Sequence, residues 1–387
     1  MALIVLSAGC VILRGHVQVT SFHRNVLIMF LVYWYAGIVG FIMSFFAPVD
    51  HVVWVQDFQQ ILYLALFFLL TFHVLNTPKR WSIFVFSILS FLALKNGYIF
   101  FQSLGGIGKI VGDWAIRSSQ NSEFTYFPML FFPLAIIFLK NKSFAAKAAT
   151  AVVLFVYLFN ALIGVVRTVW VMLIIGGIVL FMNLDRPTRK RALLWGTAFV
   201  ICALTAISVI LPRFITMAFG YKFLSIFEWS ILGDRSNATR TLEIINVFSY
   251  SYNHFSFLQG RGLGGWWDDS VRRLLPDLGS GFMYKKHFYG THIFALTQYL
   301  KLGLIGTGVY WYAVVGMLRD IHQNSMHIDS TSWKHWVIIG LGVGIVSALV
   351  SCADFVRTFL MIGVALGICA SGFVLFSSPP NTISSGG

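Results

Sequence analysis

Arginine is the side chain whose positions in this sequence ask for a chemical reason. Arg167 is the only charged residue between Ala148 and Met182, and it falls in the short gap between two apolar runs. A guanidinium there has two uses. It can snorkel to lipid headgroups at a helix end, or it can offer a planar fork of donors that grips a lipid-linked phosphate bidentately. Arg235 and Arg240 flank Ser236-Asn237-Ala238-Thr239, a helix start by its hydroxyl and amide side chains. Behind it, Arg240, Leu242, Glu243, Ile245 and Phe248 follow at helical spacing. Arg240 and Glu243 also stand three apart, the spacing of an ion pair on a solvated face.

Next along the chain comes Gln259-Gly260-Arg261-Gly262-Leu263-Gly264-Gly265-Trp266-Trp267. Glycine at this density lets the backbone take left-handed turns or approach a ligand closely. It is not a dinucleotide fingerprint, because no βαβ unit surrounds it. Trp266 and Trp267 suit a sugar-stacking or interfacial patch, and Asp268-Asp269 beside them is too small a set of ligands to hold a metal alone. His292 stands where this polar stretch enters the next apolar run. An imidazole with its ordinary pKa near 6.5 can take a proton from a hydroxyl at neutral pH, or simply cap the helix. Lys95 and Lys301 lie inside apolar runs, where they either snorkel outward or line a polar cavity.

The elements that must position these groups are membrane helices. The 387 residues are 58% hydrophobic and only 11% charged, with a mean hydropathy of +0.79; soluble domains carry roughly a quarter charged residues. Apolar stretches long enough to cross a bilayer run over 2–13, 25–47, 58–75, 82–103, 125–139, 148–166, 168–183, 192–211, 291–318, 336–354 and 357–376. Pro128 and Pro133 interrupt the fifth. The runs lack β-type alternation, so an all-α polytopic membrane protein with about eleven transmembrane helices is expected. Residues 1–13 lack the basic start and cleavage site of a signal peptide. Cys10, Cys202, Cys352 and Cys369 form no CxxC pair, which argues against a disulfide framework or zinc site. The net charge of +14 reads as topology and affinity for anionic membrane lipid, with no nucleic-acid partner.

Basic residues fix the expected orientation. Arg14 and Arg24, Lys79 and Arg80, Lys140, Lys142 and Lys147, Arg186 to Arg191, and Arg319 with Lys334 all follow odd-numbered spans, so one register places all five clusters inside. That register puts 212–290, the only long polar stretch, on the outer side, where loops of this size carry function. The organisation expected is an N-terminal helical part over 1–124, a core over 125–318 that includes the outer loop, C-terminal helices over 319–376 and a polar tail over 377–387.

Taken together, Arg167, Arg240-Thr241-Leu242-Glu243, Gly260-Arg261-Gly262-Leu263-Gly264, and His292 followed by Gly303 and Gly306 resemble the bacterial O-antigen ligase and Wzy-type polymerase superfamily over roughly residues 125–318. The Asn, Ser or Gln usual after the histidine is replaced here by Ile293. The resemblance implies a GT-C-like glycosyltransferase of the bacterial inner membrane, with its active site on the periplasmic or extracellular side. It acts on glycans carried by undecaprenyl diphosphate and needs no metal or other cofactor. On this reading Arg167 and Arg240 hold the diphosphate and His292 is the base. Arg261, Gly262, Gly264 and Arg235 belong to the substrate pocket, while Trp266 and Trp267 stack on sugars.

The acceptor is either a growing repeat-unit glycan, making the chain a polymerase, or lipid A core, making it a ligase. From another class, a transporter or flippase of lipid-linked anions is the competing expectation. It is disfavoured by the lack of any Asp or Glu deep in an expected helix and of paired broken helices. A non-catalytic scaffold would leave the outer arginines and His292 without a task.

Overall fold

Apolar runs in lipid close their backbone hydrogen bonds internally, and helices result wherever the sequence supplies such a run. The computed structural model describes residues 21–43, 45, 51–106, 127–163, 167–210, 235–269, 271, 283–284, 287–291, 293–327, 332–351 and 359–376. Its helices are α1 (Ser21–Met43), α2 (His51–Val74), α3 (Pro78–Gly106), α4 (Phe127–Lys140), α5 (Phe144–Ile163), α6 (Arg167–Asn183), α7 (Arg186–Ile210), α8 (Arg235–Asn253), α9 (Phe294–His327), α10 (Trp333–Ser351) and α11 (Phe359–Phe376). Two short antiparallel strands, β1 (Met283–Tyr284) and β2 (His287–Phe288), precede α9.

The chain is a mostly helical, polytopic membrane protein. Among the described residues, seven helices are long and apolar enough to cross a bilayer, and shorter apolar helices lie at Met129–Lys140, Val169–Asn183 and Met361–Phe376. Each expected span from 25–47 onward is met by a helix, and the span at 2–13 lies outside the described residues. Large apolar side chains such as Phe86, Leu94, Phe101 and Val209 point outward. That suits contact with lipid rather than water.

Packing centres on α10, most of whose length is enclosed by α4, α6, α9 and α11. Pro133 sits inside α4, and Gly340 of α10 fits against its backbone, where no Cβ could be placed. Neighbouring helices tolerate such a proline when they pack closely around it. Gly363 and Gly367, four residues apart on α11, let that helix lie directly on the α2 carbonyls of Leu64 and Phe68. On the other side α9 packs along α1.

Buried polar groups tie these pairs together. Asp320 of α9 accepts from Ser21 Oγ and Asn25 Nδ2 of α1, each at 2.6 Å. Asn160 of α5 donates to Asn96 Oδ1 of α3 at 2.8 Å. Asp57 and Asp320, which fall outside the expected spans, lie within membrane helices, and both are buried. The cause is helix length: α2 begins at His51, ahead of the expected 58–75, and α9 runs on to His327, past the expected 318.

Candidate functional site

Helix α8 buries Thr239, Glu243, Asn246, Val247 and Tyr250, a face at helical spacing. Three of the five are polar, and Thr239, Glu243 and Asn246 all have partners. Its outward face carries Ile244, Ile245, Phe248 and Tyr252. Arg240 is half-buried and is also engaged with a partner. Below α8 a small apolar cluster of Val247, Tyr250, Trp267, Phe288, Leu296, Tyr299 and Leu300, with Leu242, Trp266 and Ile293 against it, joins α8, β2 and the start of α9 into one unit.

The glycine stretch leaves α8 and enters a break in α9. At Gly303 the helix takes φ 66° and ψ −173°, and Gly260 faces it at φ 77°. A Cβ on Gly260 would collide with the Gly303 backbone, and one on Gly303 with the Leu258 carbonyl. Four hydrogen bonds are exchanged across the junction. The amides of Leu304 and Ile305 donate to Phe257 O (2.9 Å) and Leu258 O (3.2 Å) instead of to Leu300 and Lys301. The carbonyls of Leu300 and Lys301 accept instead from the amides of Arg261 (2.8 Å) and Gly262 (3.0 Å). A broken helix at membrane depth would otherwise leave these groups unsatisfied, at a cost of several kcal/mol each.

Two further helices clamp the turn. Leu263 donates its amide to Ala36 O of α1 at 2.9 Å, and Gly262 lies on the Gly40 backbone. Asp57 of α2 accepts from the Gly264 amide at 3.0 Å and pairs with Lys301 Nζ at 2.5 Å, with both side chains enclosed. Lys301 therefore neither snorkels nor lines a cavity.

Beyond the clamp lies an aromatic nest. Arg261 is 3% exposed, with its guanidinium over the rings of Tyr250 (5.3 Å) and Trp266 (5.8 Å). Trp266 stacks on His287 at 3.7 Å, and Tyr250 on His254 at 4.0 Å. Among the described residues no carboxylate pairs with Arg261. Its Nε, the Tyr250 hydroxyl and His287 Nδ1 are all buried without a hydrogen-bond partner. A buried guanidinium has donors only, so it calls for an anion. Burial pushes the Tyr250 phenol up to about 12, and Asp268 adds to this while Arg261 opposes it. The phenol therefore stays a donor at neutral pH.

The other residues expected at a site are placed as follows. Trp267 offers no ring face to a sugar, which corrects its stacking role. It is fully enclosed, stacks on Phe288 at 4.7 Å, and donates from Nε1 to Gly290 O at 3.1 Å. Its backbone also pairs with Phe288 in both directions. Asp268 and Asp269 are half-buried, and among the described residues no three His, Cys, Asp or Glu side chains converge. Arg167 and Arg235 are the first residues of α6 and α8, but their side chains, and the whole of His292, lie outside the described residues. Next to His292, Thr291 is buried and takes part in a network with Thr297 and the Ile293 carbonyl.

Asp57, Tyr250 and His287 escaped the sequence reading. Tyr250 extends the polar stripe of Thr239, Glu243 and Asn246 at alternating four- and three-residue steps, and that spacing was its one available signal. Comparisons of the chain with protein-family models, with curated proteins and with solved structures return no match. The functional reading accordingly rests on this geometry and on the sequence pattern.

Proposed function

We propose that the chain is a GT-C-like membrane glycosyltransferase of about eleven spanning helices, similar to O-antigen polymerases and ligases, which polymerises repeat units carried on undecaprenyl diphosphate. One observation carries the reading. The turn and the Gly303 segment, distant in sequence, interlock, and beside that junction a buried guanidinium and two more orphaned polar atoms await an anionic ligand. On the positive-inside register this unit faces the periplasm or the outside.

In the proposed reaction the acceptor hydroxyl oxygen attacks the anomeric carbon of the donor glycan. His292 takes the hydroxyl proton, and the bond from that carbon to the diphosphate oxygen breaks. Undecaprenyl diphosphate leaves with the electron pair, its growing charge met by Arg240, Arg167 and Arg261. One displacement at one site inverts the anomeric centre. Trp266, paired with His287, supplies the indole wall beside the guanidinium, 5.8 Å from it.

The test is purified protein incubated with an undecaprenyl-diphosphate oligosaccharide in EDTA. Wild type should lengthen the lipid-linked glycan, and Arg167→Ala, Arg240→Ala and His292→Ala should each lose on the order of 100-fold in rate. Transfer only when lipid A core is added would make the chain a ligase. The break in α9 and the buried Asp57 are features that carriers of lipid-linked anions also use. Against that use, Asp57 is already neutralised by Lys301 and bonded to Gly264. No glycan product from folded protein with its native substrate would favour the transport reading.

A further inference from the structure

A second concavity lies between α4, α5, α6 and α7, away from the glycine turn. It has a volume of about 270 Å³, and its walls are wholly apolar apart from one indole; Phe132, Phe138, Leu154, Phe181, Trp195 and Phe199 form much of them. Ligand sites begin at roughly 300 Å³, so the space suits a stretch of one hydrocarbon chain rather than a whole lipid. Two glycines hold it open. A Cβ on Gly177 or Gly196 would meet nothing within 4 Å, whereas the neighbouring Gly176 is pressed onto the Phe132 ring.

Charge lies beside this pocket. Arg189 reaches back from the first turns of α7 and lies over the Phe181 ring at 5.5 Å. One of its terminal nitrogens donates to Met182 O at 3.0 Å, and its Nε is buried without a hydrogen-bond partner among the described residues. Arg186, Lys190 and Arg191 are exposed beside it. Asp185, the only acid between Lys140 and Ile210, is already taken by Lys140 at 3.0 Å.

We infer that this pocket seats one acyl chain of an anionic phospholipid, with the lipid phosphate held by Arg189. Apolar walls alone would describe any lipid-facing surface. The excess of positive charge, with an unmatched donor beside the pocket, selects an anionic head group. On the positive-inside register these basic residues face the cytoplasmic leaflet, opposite the proposed site of glycan transfer, so the occupant is a membrane phospholipid and not the glycan carrier. The inference stands whether or not the chain is a glycosyltransferase.

Trp195 in the pocket wall reports on the occupant. The full chain is reconstituted in phosphatidylcholine vesicles containing a minor fraction of either brominated phosphatidylglycerol or brominated phosphatidylcholine. The Trp195 signal is the emission of wild type minus that of Trp195→Phe. Brominated phosphatidylglycerol should quench it roughly fivefold more effectively, the worth of one basic side chain at an anionic lipid. Arg189→Gln should abolish that preference. Gly177→Leu, which fills the open space and favours the helix, should lower the quenching by brominated phosphatidylglycerol to that by brominated phosphatidylcholine while leaving the circular dichroism unchanged. Equal quenching by the two lipids would overturn the site, and a preference that survives Arg189→Gln would overturn the phosphate contact. Recovery of emission on adding undecaprenyl phosphate, but not on adding unbrominated phosphatidylglycerol, would overturn the choice of occupant.

Discussion

Two regions lie against α9, and they end their polar groups in opposite ways. At the break, the amides of Leu304 and Ile305, the carbonyls of Leu300 and Lys301, the Lys301 ammonium and the Asp57 carboxylate all find partners. In the adjoining aromatic nest, Arg261 Nε, the Tyr250 hydroxyl and His287 Nδ1 find none among the described residues. Arg261 belongs to both regions, since its amide closes the break while its guanidinium is left over. Where polarity is saturated within the chain it acts as a joint; where it is left open, the proposed function places the anionic ligand.

The largest expected effect tests the saturated region. Asp57→Ala strands the Lys301 ammonium in an enclosed site and should cost about 3–5 kcal/mol, read as a fall in the thermal midpoint of the purified protein. Asp57→Ala combined with Lys301→Met should recover most of that loss, because no buried charge is then left over. A double variant no better than the single would show that the pair is not what holds the joint.

The open region should respond in the opposite sense. Arg261→Ala should lower glycan elongation about 100-fold, or about 2.7 kcal/mol of transition-state stabilisation, with the thermal midpoint unchanged or raised. Arg261→Lys should restore little, because an ammonium lacks the planar fork. Equal losses of stability and activity in Arg261→Ala would make the guanidinium part of the scaffold and erase the contrast.

A third charge, at the surface, sets the lower end of the scale. Burial pushes the Asp185 carboxyl up, but hydrogen bonds from Lys140 and Thr188 and the Lys140 charge together outweigh it and hold it down at about 2, from an ordinary 3.8. Its contribution is therefore present above about pH 4 and is lost as pH falls towards 2. The carboxylate side chain is 46% exposed, so the contribution stays below about 1 kcal/mol. Comparing the thermal midpoints of wild type and Asp185→Asn across that range measures it, and the two curves should converge at the acid end.

Helix placement was legible because membrane spans announce themselves by length and apolarity. Even Pro133 left the run over 125–139 recognisable, and Gly340 shows how a neighbouring helix absorbs it. The start of α8 was legible from Ser236-Asn237-Ala238-Thr239 and the residues behind it. The break at Gly303 was not, because a glycine in an apolar run reads equally as a close helix contact; its partner lies at Gly260. Asp57 looked like a loop residue at the edge of a run. Only the Lys301 ammonium and the Gly264 amide, far away in sequence, explain why a carboxylate can enter the helix. Trp267 shows the same limit from the other side. Sequence cannot say which of two adjacent indoles faces inward, and the backbone pairing with Phe288 decides it.

The docking of Leu263 onto the Ala36 carbonyl also bears on how the protein is made. The first helices enter the membrane long before the ribosome has released α9, and until α9 arrives the glycine turn has no cleft to enter. A nascent chain stopped short of Gly303 thus holds its early helices but lacks the finished junction. In such a chain the carbonyls of Phe257 and Leu258 and the amides of Arg261 and Gly262 are still without the partners that the finished junction gives them.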